Sequence, residues 1–363
     1  MAIALKPSLN VLLVFVPVAL LIHGLAPHRP TLAFAAAALG IVPLAGLMGK
    51  ATEHLADRAG EGVGGLLNAT FGNAAELIIA LAALQKGLHG VVKASLTGSI
   101  IGNILLVLGA AFAAGGWRRE CQRFHASAAR SQSTMLLLAA VALVVPAAYH
   151  HLGGREALLH EVGLSLEIAL ILLATYGAGL VFSLKTHRHY FSGSGSPKAE
   201  GHGRRAAWGT GRSLAVLAVS TAFVALLSEV LVGSVEGAAR DLGMTEVFVG
   251  VIVVAVIGNA AEHSTAVLAA LKDRMDLAVG IAVGSSIQVA LFVAPALVLA
   301  SFFLGPRPMD LVFTVPEVLA VVLTVLVGEQ VTSDGESNWL EGIQLLSVYA
   351  ILAVVFYLLP SQP

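Results

Sequence analysis

The sequence predicts an all-α integral membrane protein of about eleven transmembrane helices: one extra N-terminal helix followed by two inverted five-helix repeats. Three observations predict this fold: a very apolar composition, a ladder of long apolar runs, and an acidic motif that occurs twice. Of the 363 residues, 57% are hydrophobic and only 12% charged, against about 25% charged in an ordinary soluble domain. The charges cluster between the apolar runs.

A hydrocarbon core of about 30 Å needs roughly 20 apolar residues of helix. Runs of that order lie near residues 10–26, 32–48, 63–85, 91–115, 132–149, 164–184, 212–234, 246–270, 277–303, 310–329 and 339–359. Lipid offers no hydrogen-bond partner to the backbone, and these runs are too long for barrel strands, so they are expected to be helices. The first run has no small-residue cleavage pattern and reads as a retained span, not a signal peptide.

Orientation follows from the basic residues. With the N-terminus inside, the inner segments hold 15 of the 21 lysines and arginines, including Arg118, Arg119, Arg123, Arg130, Lys185, Arg188 and Arg212. The positive-inside rule then places the N-terminus in the cytoplasm and the C-terminus on the opposite side. In a bacterium this would be the plasma (inner) membrane.

The one long polar connection, residues 185–211, is rich in Gly, Ser, His and basic residues, such as His187, His189 and Ser192-Gly193-Ser194-Gly195-Ser196-Pro197. Such composition buries no core and reads as a flexible cytoplasmic linker, a solvated tether more than a metal site. It divides the chain into an N-terminal helix (1–30), a first repeat (31–184), the linker, and a second repeat (212–363). The lone cysteine, Cys121, excludes an intrachain disulfide and a cysteine metal cluster. A net charge of −1 with no basic domain gives no sign of nucleic acid.

The duplicated motif is Gly72-Asn73-Ala74-Ala75-Glu76, which returns unchanged as Gly258-Asn259-Ala260-Ala261-Glu262, 186 residues later. The same offset pairs Gly64 with Gly250, Lys86 with Lys272, Gly98-Ser99 with Gly284-Ser285, and Leu105 with Leu291. Five spans is an odd number, so the second copy enters the membrane from the other side and the repeats are inverted, an arrangement common in secondary transporters. Simple packing duplication explains the small residues. It does not explain an Asn and a Glu, three residues apart, twice.

A carboxylate at bilayer depth costs about 2.5 kcal/mol or more, so it marks a functional site by default. Residues three apart on a helix share a face, which presents Asn73 with Glu76 and Asn259 with Glu262. Gly72 and Gly258 precede these pairs, where a helix break would free carbonyls to line a cavity. Ser99 and Asn103, and Ser285 and Gln288, stand on the partner helices. Oxygen-only ligation suits a hard cation: Ca²⁺ takes six to eight flexible oxygens, whereas Mg²⁺ keeps its water. Two carboxylates neutralise one divalent ion; Mn²⁺ and other cations rank below Ca²⁺. An empty charged site in low dielectric is costly, so protons and the cation compete for the same oxygens, the condition for exchange. No resident cofactor and no enzyme activity are expected.

His263 follows Glu262, where the first repeat has Leu77. On spacing alone a structural histidine and a proton relay are equally good readings. Glu229 reads as a relay, a vestibule charge or, first among these, a solvated end residue. Glu167 and Glu317 read as interfacially solvated, and Trp117 and Tyr357 as interface anchors.

At these positions the chain resembles the Ca²⁺/H⁺ antiporters of the cation/proton exchanger (CAX) family, in the cation/Ca²⁺ exchanger superfamily. The resemblance rests on Leu66-Leu67-Asn68-Ala69-Thr70-Phe71-Gly72-Asn73-Ala74-Ala75-Glu76-Leu77-Ile78, on Gly98-Ser99-Ile100-Ile101-Gly102-Asn103 and on Ser228-Glu229. It continues through Gly258-Asn259-Ala260-Ala261-Glu262-His263 and Gly284-Ser285-Ser286-Ile287-Gln288. It implies an eleven-helix exchanger of cytoplasmic Ca²⁺ for H⁺ working by alternating access. Glu76 and Glu262 would be its cation-binding acids, and Asn73, Ser99, Asn259, Ser285 and Gln288 would line the path. It also implies proton-coupling roles for His263 and Glu229. The linker is basic where some members carry an acidic segment, and no regulation by a long N-terminal tail is expected. The substrates implied are Ca²⁺ and H⁺, in a lipid bilayer; a homo-oligomer is compatible with the sequence. Alternatives are a Na⁺-driven Ca²⁺ exchanger, a monovalent cation/H⁺ antiporter, a passive channel and, remotely, an intramembrane hydrolase, against which stand the even duplication and the lack of a nucleophile or zinc motif.

Overall fold

The computed structural model describes residues 9–59, 64, 66, 67, 70–187 and 208–360. Among the described residues, eight helices are long and apolar enough to cross a membrane: Pro30–Ala59, His89–Gly116, Ala126–Leu152, Leu159–Thr186, Thr210–Leu242, Met275–Ser301, Val315–Thr332 and Trp339–Leu358. A ninth span is a pair, Glu246–Gly258 and Ala260–Leu271, bent by 60°. Leu9–Leu25 and Ala74–Gln85 are shorter apolar helices. Each of the eleven expected runs thus carries helix, but eleven uninterrupted spans are not what the chain forms. The run expected at 63–85 turns at Gly72–Asn73, and its continuous helix begins only at Ala74.

The first helices of the two repeats, Pro30–Ala59 and Thr210–Leu242, pack along one another. At 33 residues the second is about 50 Å long at 1.5 Å per residue, longer than the hydrocarbon is thick. Their contact is rich in small side chains, Ala33, Ala36, Ala37 and Ala45 all being buried. Small residues let helix backbones approach closely where lipid supplies no hydrophobic drive between helices. Most of the linker lies outside the described residues. At its end Trp208 stands 5.1 Å from the His54 ring, with the Arg212 guanidinium 4.7 Å above its own ring.

The remaining helices are interrupted in a repeated way. π-helical turns occupy Gly102–Val107 and Val289–Val293, nearly the same stretch of the two repeats, just past Ser99 and Ser285. A third π-helical turn, Val249–Val254, leads to Gly258. Such turns concentrate at functional sites, because the wider coil redirects the side chains that follow.

Two corrections concern the connections. The span expected from residue 310 starts at Val315, and Glu317 is not solvated at an interface: it is 3% exposed and closes a capping box with Thr314, its Oε2 accepting from the Thr314 backbone at 2.9 Å. Before it, residues 309–313 run extended, burying Met309, Leu311 and Phe313 alternately. The all-helical reading also misses a two-residue antiparallel bridge, Gln122–Arg123 with Glu336–Ser337, too short to show a period in sequence. Glu167 is exposed on the Leu159–Thr186 helix.

The extended segment is pinned by one ion pair. Lys93 Nζ donates to Asp310 Oδ1 at 2.5 Å and to the Val312 carbonyl at 2.8 Å. Burial pushes the Asp310 carboxyl up, but the Lys93 charge and hydrogen bond, with the Val312 N–H, outweigh it and hold the group below its usual value. A depressed carboxylate stabilises the fold above its unfolded value of about 3.9, and that stability is lost as pH falls through the folded value. Asp310→Asn is expected to destabilise the detergent-solubilised protein by about 1–3 kcal/mol at neutral pH. In thermal unfolding curves the gap should close as pH drops below 4, roughly the unfolded value; a gap constant with pH would exclude the ion pair as its source.

Candidate functional site

The two motif copies stop one helix and start another. Asn73 and Asn259 both leave the helical region, with φ −99°, ψ 27° and φ −90°, ψ 3°, and each immediately precedes a new helix, at Ala74 and Ala260. Glu76 and Glu262 fall in the first turn of these helices, where the macrodipole favours negative charge. The break lies where Gly72 and Gly258 suggest one, at the asparagine that follows each glycine. The break moves the carboxylates to paired helix N-termini in the protein interior.

The repeats interlock through their asparagines. Asn73 Nδ2 donates to Gln288 Oε1 at 2.5 Å, from the first repeat to the second. Asn259 Nδ2 donates to Ser99 Oγ at 3.0 Å, from the second back to the first, and also to the Ala255 carbonyl at 2.9 Å. Both asparagines are 1% exposed, and among the described residues each amide oxygen, Oδ1, has no hydrogen-bond donor. A buried oxygen without a partner is costly unless something else fills its lone pairs.

Glu76 is 8% exposed and lies against the break of the other repeat: a methyl group added to Gly258 would come within 3.3 Å of its Cγ. Its Oε1 would lie 3.7 Å from that methyl group, four residues before Glu262. Glu262 is half-buried and accepts a short hydrogen bond from Ser285 Oγ. Asn103 lies in the first π-helical turn, 1% exposed, with its Nδ2 unpartnered, and that turn packs against the Glu262 helix. His263 is half-buried with an unpartnered Nε2.

All ten residues singled out in sequence thus lie on the two broken helices or on helices packed against them. Glu229 stands apart in its exposure. It is exposed on the Thr210–Leu242 helix, and its backbone carbonyl accepts from Lys86 Nζ at 3.1 Å. Among the described residues no group of three or more His, Cys, Asp and Glu side chains comes together. The polar centre is therefore two carboxylates surrounded by neutral oxygens, a hard-cation donor set.

A cavity of about 110 Å³ reaches this centre from one side. Ser131 and Gln132, near the start of the Ala126–Leu152 helix, line it with Ser183, near the linker, and with Gly284 and Gln288. The packing around the centre is correspondingly asymmetric. A Cβ on Gly98 would overlap the Val251 backbone, whereas one on Gly284, the repeat equivalent, would meet no heavy atom of a described residue within 4 Å. Sequence reasoning found the two glycines by the offset but could not foresee their unequal surroundings.

Comparison with known proteins agrees with this architecture. The "Ca(2+)/H(+) antiporter" of Aphanothece halophytica is 44% identical over 369 residues, covering 97% of this chain and 96% of the relative. The "Ca(2+)/H(+) antiporter ChaA" of Bacillus subtilis is 45% identical over 350 residues, 96% and 98% of the two chains. The solved structure of native YfkE superposes with a TM-score of 0.82 at 41% identity, covering 97% of this chain and all of that one. Residues 29–185 and 212–358 both match the family described as "Sodium/calcium exchanger protein". With its broken helices and its sequence matched to that family through both halves, this chain is a member of the sodium/calcium exchanger protein family.

Proposed function

We propose that the chain is a secondary active transporter that exchanges cytoplasmic Ca²⁺ for H⁺ by alternating access. The observation that carries this reading is the pair of carboxylates at the two helix breaks, one from each repeat, with Glu76 packed against Gly258 of the other break and Glu262 accepting from Ser285. The relatives named as Ca²⁺/H⁺ antiporters, at 44% and 45% identity over nearly the whole chain, support the same substrates.

In this reading Glu76 and Glu262 supply the charge that a divalent cation neutralises. Asn73 and Asn259 offer their free Oδ1 atoms, and Ser99, Ser285 and Gln288 hold these groups in place or join them. Leaving both carboxylates charged and empty inside the protein is costly, so departure of Ca²⁺ is matched by proton uptake on the same oxygens. One ligand excludes the other, which makes crossing conditional on occupancy. His263, beside Glu262 and with a free ring nitrogen, is the group placed to pass protons to the pair. Glu229, exposed on the Thr210–Leu242 helix, acts from outside the central cluster. The basic inner loops orient the chain with its N-terminus in the cytoplasm, and its cavity then faces the cytoplasm.

Everted vesicles carrying the protein should accumulate radiolabelled Ca²⁺ when an inside-acid pH gradient is imposed. Uptake driven by a Na⁺ gradient instead would reassign the protein to Na⁺-coupled exchange, and uptake independent of any counter-ion gradient would make it a channel. In the same vesicles, His263→Ala should displace the pH profile of uptake; an unchanged profile would remove His263 from the proton route.

A further inference from the structure

We propose that the chain carries a binding site for an acidic phospholipid where the His89–Gly116 helix leaves the bilayer, separate from the cation centre. A cavity of about 730 Å³ lies there, lined by Ala113, Ala114, Trp117, Arg118, Arg119 and Leu271. Its walls divide by chemistry. Ala113, Ala114 and Leu271 form an apolar floor, and two guanidinium groups and an indole form the rim.

The rim is electrostatically uneven. Arg119 is built into the fold: Nη1 donates to the Gly115 carbonyl at 2.6 Å, Nη2 to the Leu271 carbonyl at 3.2 Å, and Nε lies 3.7 Å from Asp273 Oδ1. Asp273 in turn accepts from Gln122 Nε2 at 2.6 Å, so its charge is shared. The other acids of these loops are also engaged, Glu336 with Arg123 at 3.0 Å and Asp276 with the His125 backbone at 2.8 Å. Glu120 is exposed beside the rim. Arg118 is exposed and makes no hydrogen bond or ion pair to a described residue. The arginine next to the apolar floor is therefore the one left for an anion.

The depth of the cavity selects a lipid. Trp117, 70% exposed, packs edge-on against Trp339 at 6.0 Å, and paired tryptophans of this kind sit at headgroup level. A soluble anion would gain nothing from the alanine and leucine floor, whereas a phospholipid sets its phosphate on the guanidinium and its upper acyl segments on the floor. Basic pockets between membrane helices on the cytoplasmic side recognise anionic headgroups in this way. Leu271 is the last residue of the helix that begins beside Glu262. A lipid seated here bridges the end of that helix to the neighbouring span and so touches an element of the transport centre without entering it.

The test reads binding, not transport, and so stands apart from the proposed antiport. Trp208→Phe and Trp339→Phe leave Trp117 as the sole tryptophan of three. The full chain is placed in nanodiscs of phosphatidylcholine with rising fractions of brominated phosphatidylglycerol or brominated phosphatidylcholine. Brominated phosphatidylglycerol should quench Trp117 at about fivefold lower mole fraction, the preference expected of one arginine near the surface. Arg118→Gln should erase that preference and Arg118→Lys retain most of it. If Arg118→Gln lowers the melting temperature, Ala114→Leu, which fills the floor, replaces it and should weaken quenching likewise. Equal quenching by the two lipids, or a preference that survives both variants, overturns the site. Displacement by excess inorganic phosphate would show a soluble-anion site and overturn the lipid assignment.

Discussion

Glu76→Gln and Glu262→Gln should each abolish pH-driven Ca²⁺ uptake, by about a hundredfold or more. The magnitude follows from the position of the two acids. Each supplies half of the charge that a divalent ion needs, in surroundings where Glu76 is 8% exposed and the asparagines beside it 1%. With one acid gone, half the charge of a bound divalent ion is left uncompensated in the protein interior, a cost of about 3–5 kcal/mol, and each 1.4 kcal/mol is tenfold. Glutamine keeps the shape and one oxygen, so the loss reports charge rather than packing, and unfolding temperature should change little. Both variants must fail equally if the site is shared between the repeats. Substantial pH-driven uptake by either one, in protein shown to be folded, would mean that the two carboxylates do not form one site.

Much of this centre was legible in the sequence because the duplication is itself a measurement: Asn and Glu return at one offset with their glycines, so both halves of the cluster were named before any geometry. Ser99 and Gln288 were named too, from spacing and resemblance. Their pairing was not, since the bonds Asn73 to Gln288 and Asn259 to Ser99 cross between repeats and depend on how the halves dock. The π-helical turns at Gly102–Val107 and Val289–Val293 leave no mark in apolar periodicity, because a wider coil in a largely buried segment changes which side chains face inward without changing how apolar they are. Glu317 was misread for a related reason. Its position near the end of an apolar run suggested solvation, while Thr314 three residues before it is a capping-box signature that a hydropathy count overlooks.

The second large effect concerns two glycines that are equivalent in sequence and opposite in surroundings. A Cβ at Gly98 would overlap the backbone of Val251, and the same helix crossing brings Gly250 within 2.6 Å of Ala94 Cβ when a Cβ is added there. Neither neighbour is the flexible end of a side chain, so Gly98→Ala forces helices apart and should destabilise the protein by about 3 kcal/mol. A Cβ at Gly284 meets no described residue within 4 Å, so Gly284→Ala should leave the unfolding temperature unchanged or raise it slightly, alanine being the better helix former by about 1 kcal/mol. Transport should nonetheless fall at least about tenfold in Gly284→Ala. Inverted halves reach the opposite-facing state by rocking of one repeat against the other around the fixed site, which brings the open crossing at Gly284 to the crowding now seen at Gly98. The methyl group is harmless in the state with the cavity at Gln288 and obstructive in the other. A Gly284→Ala protein that is stable and transports Ca²⁺ at the normal rate would show that the two crossings do not exchange, and would count against rocking about Glu76 and Glu262 as the route of access.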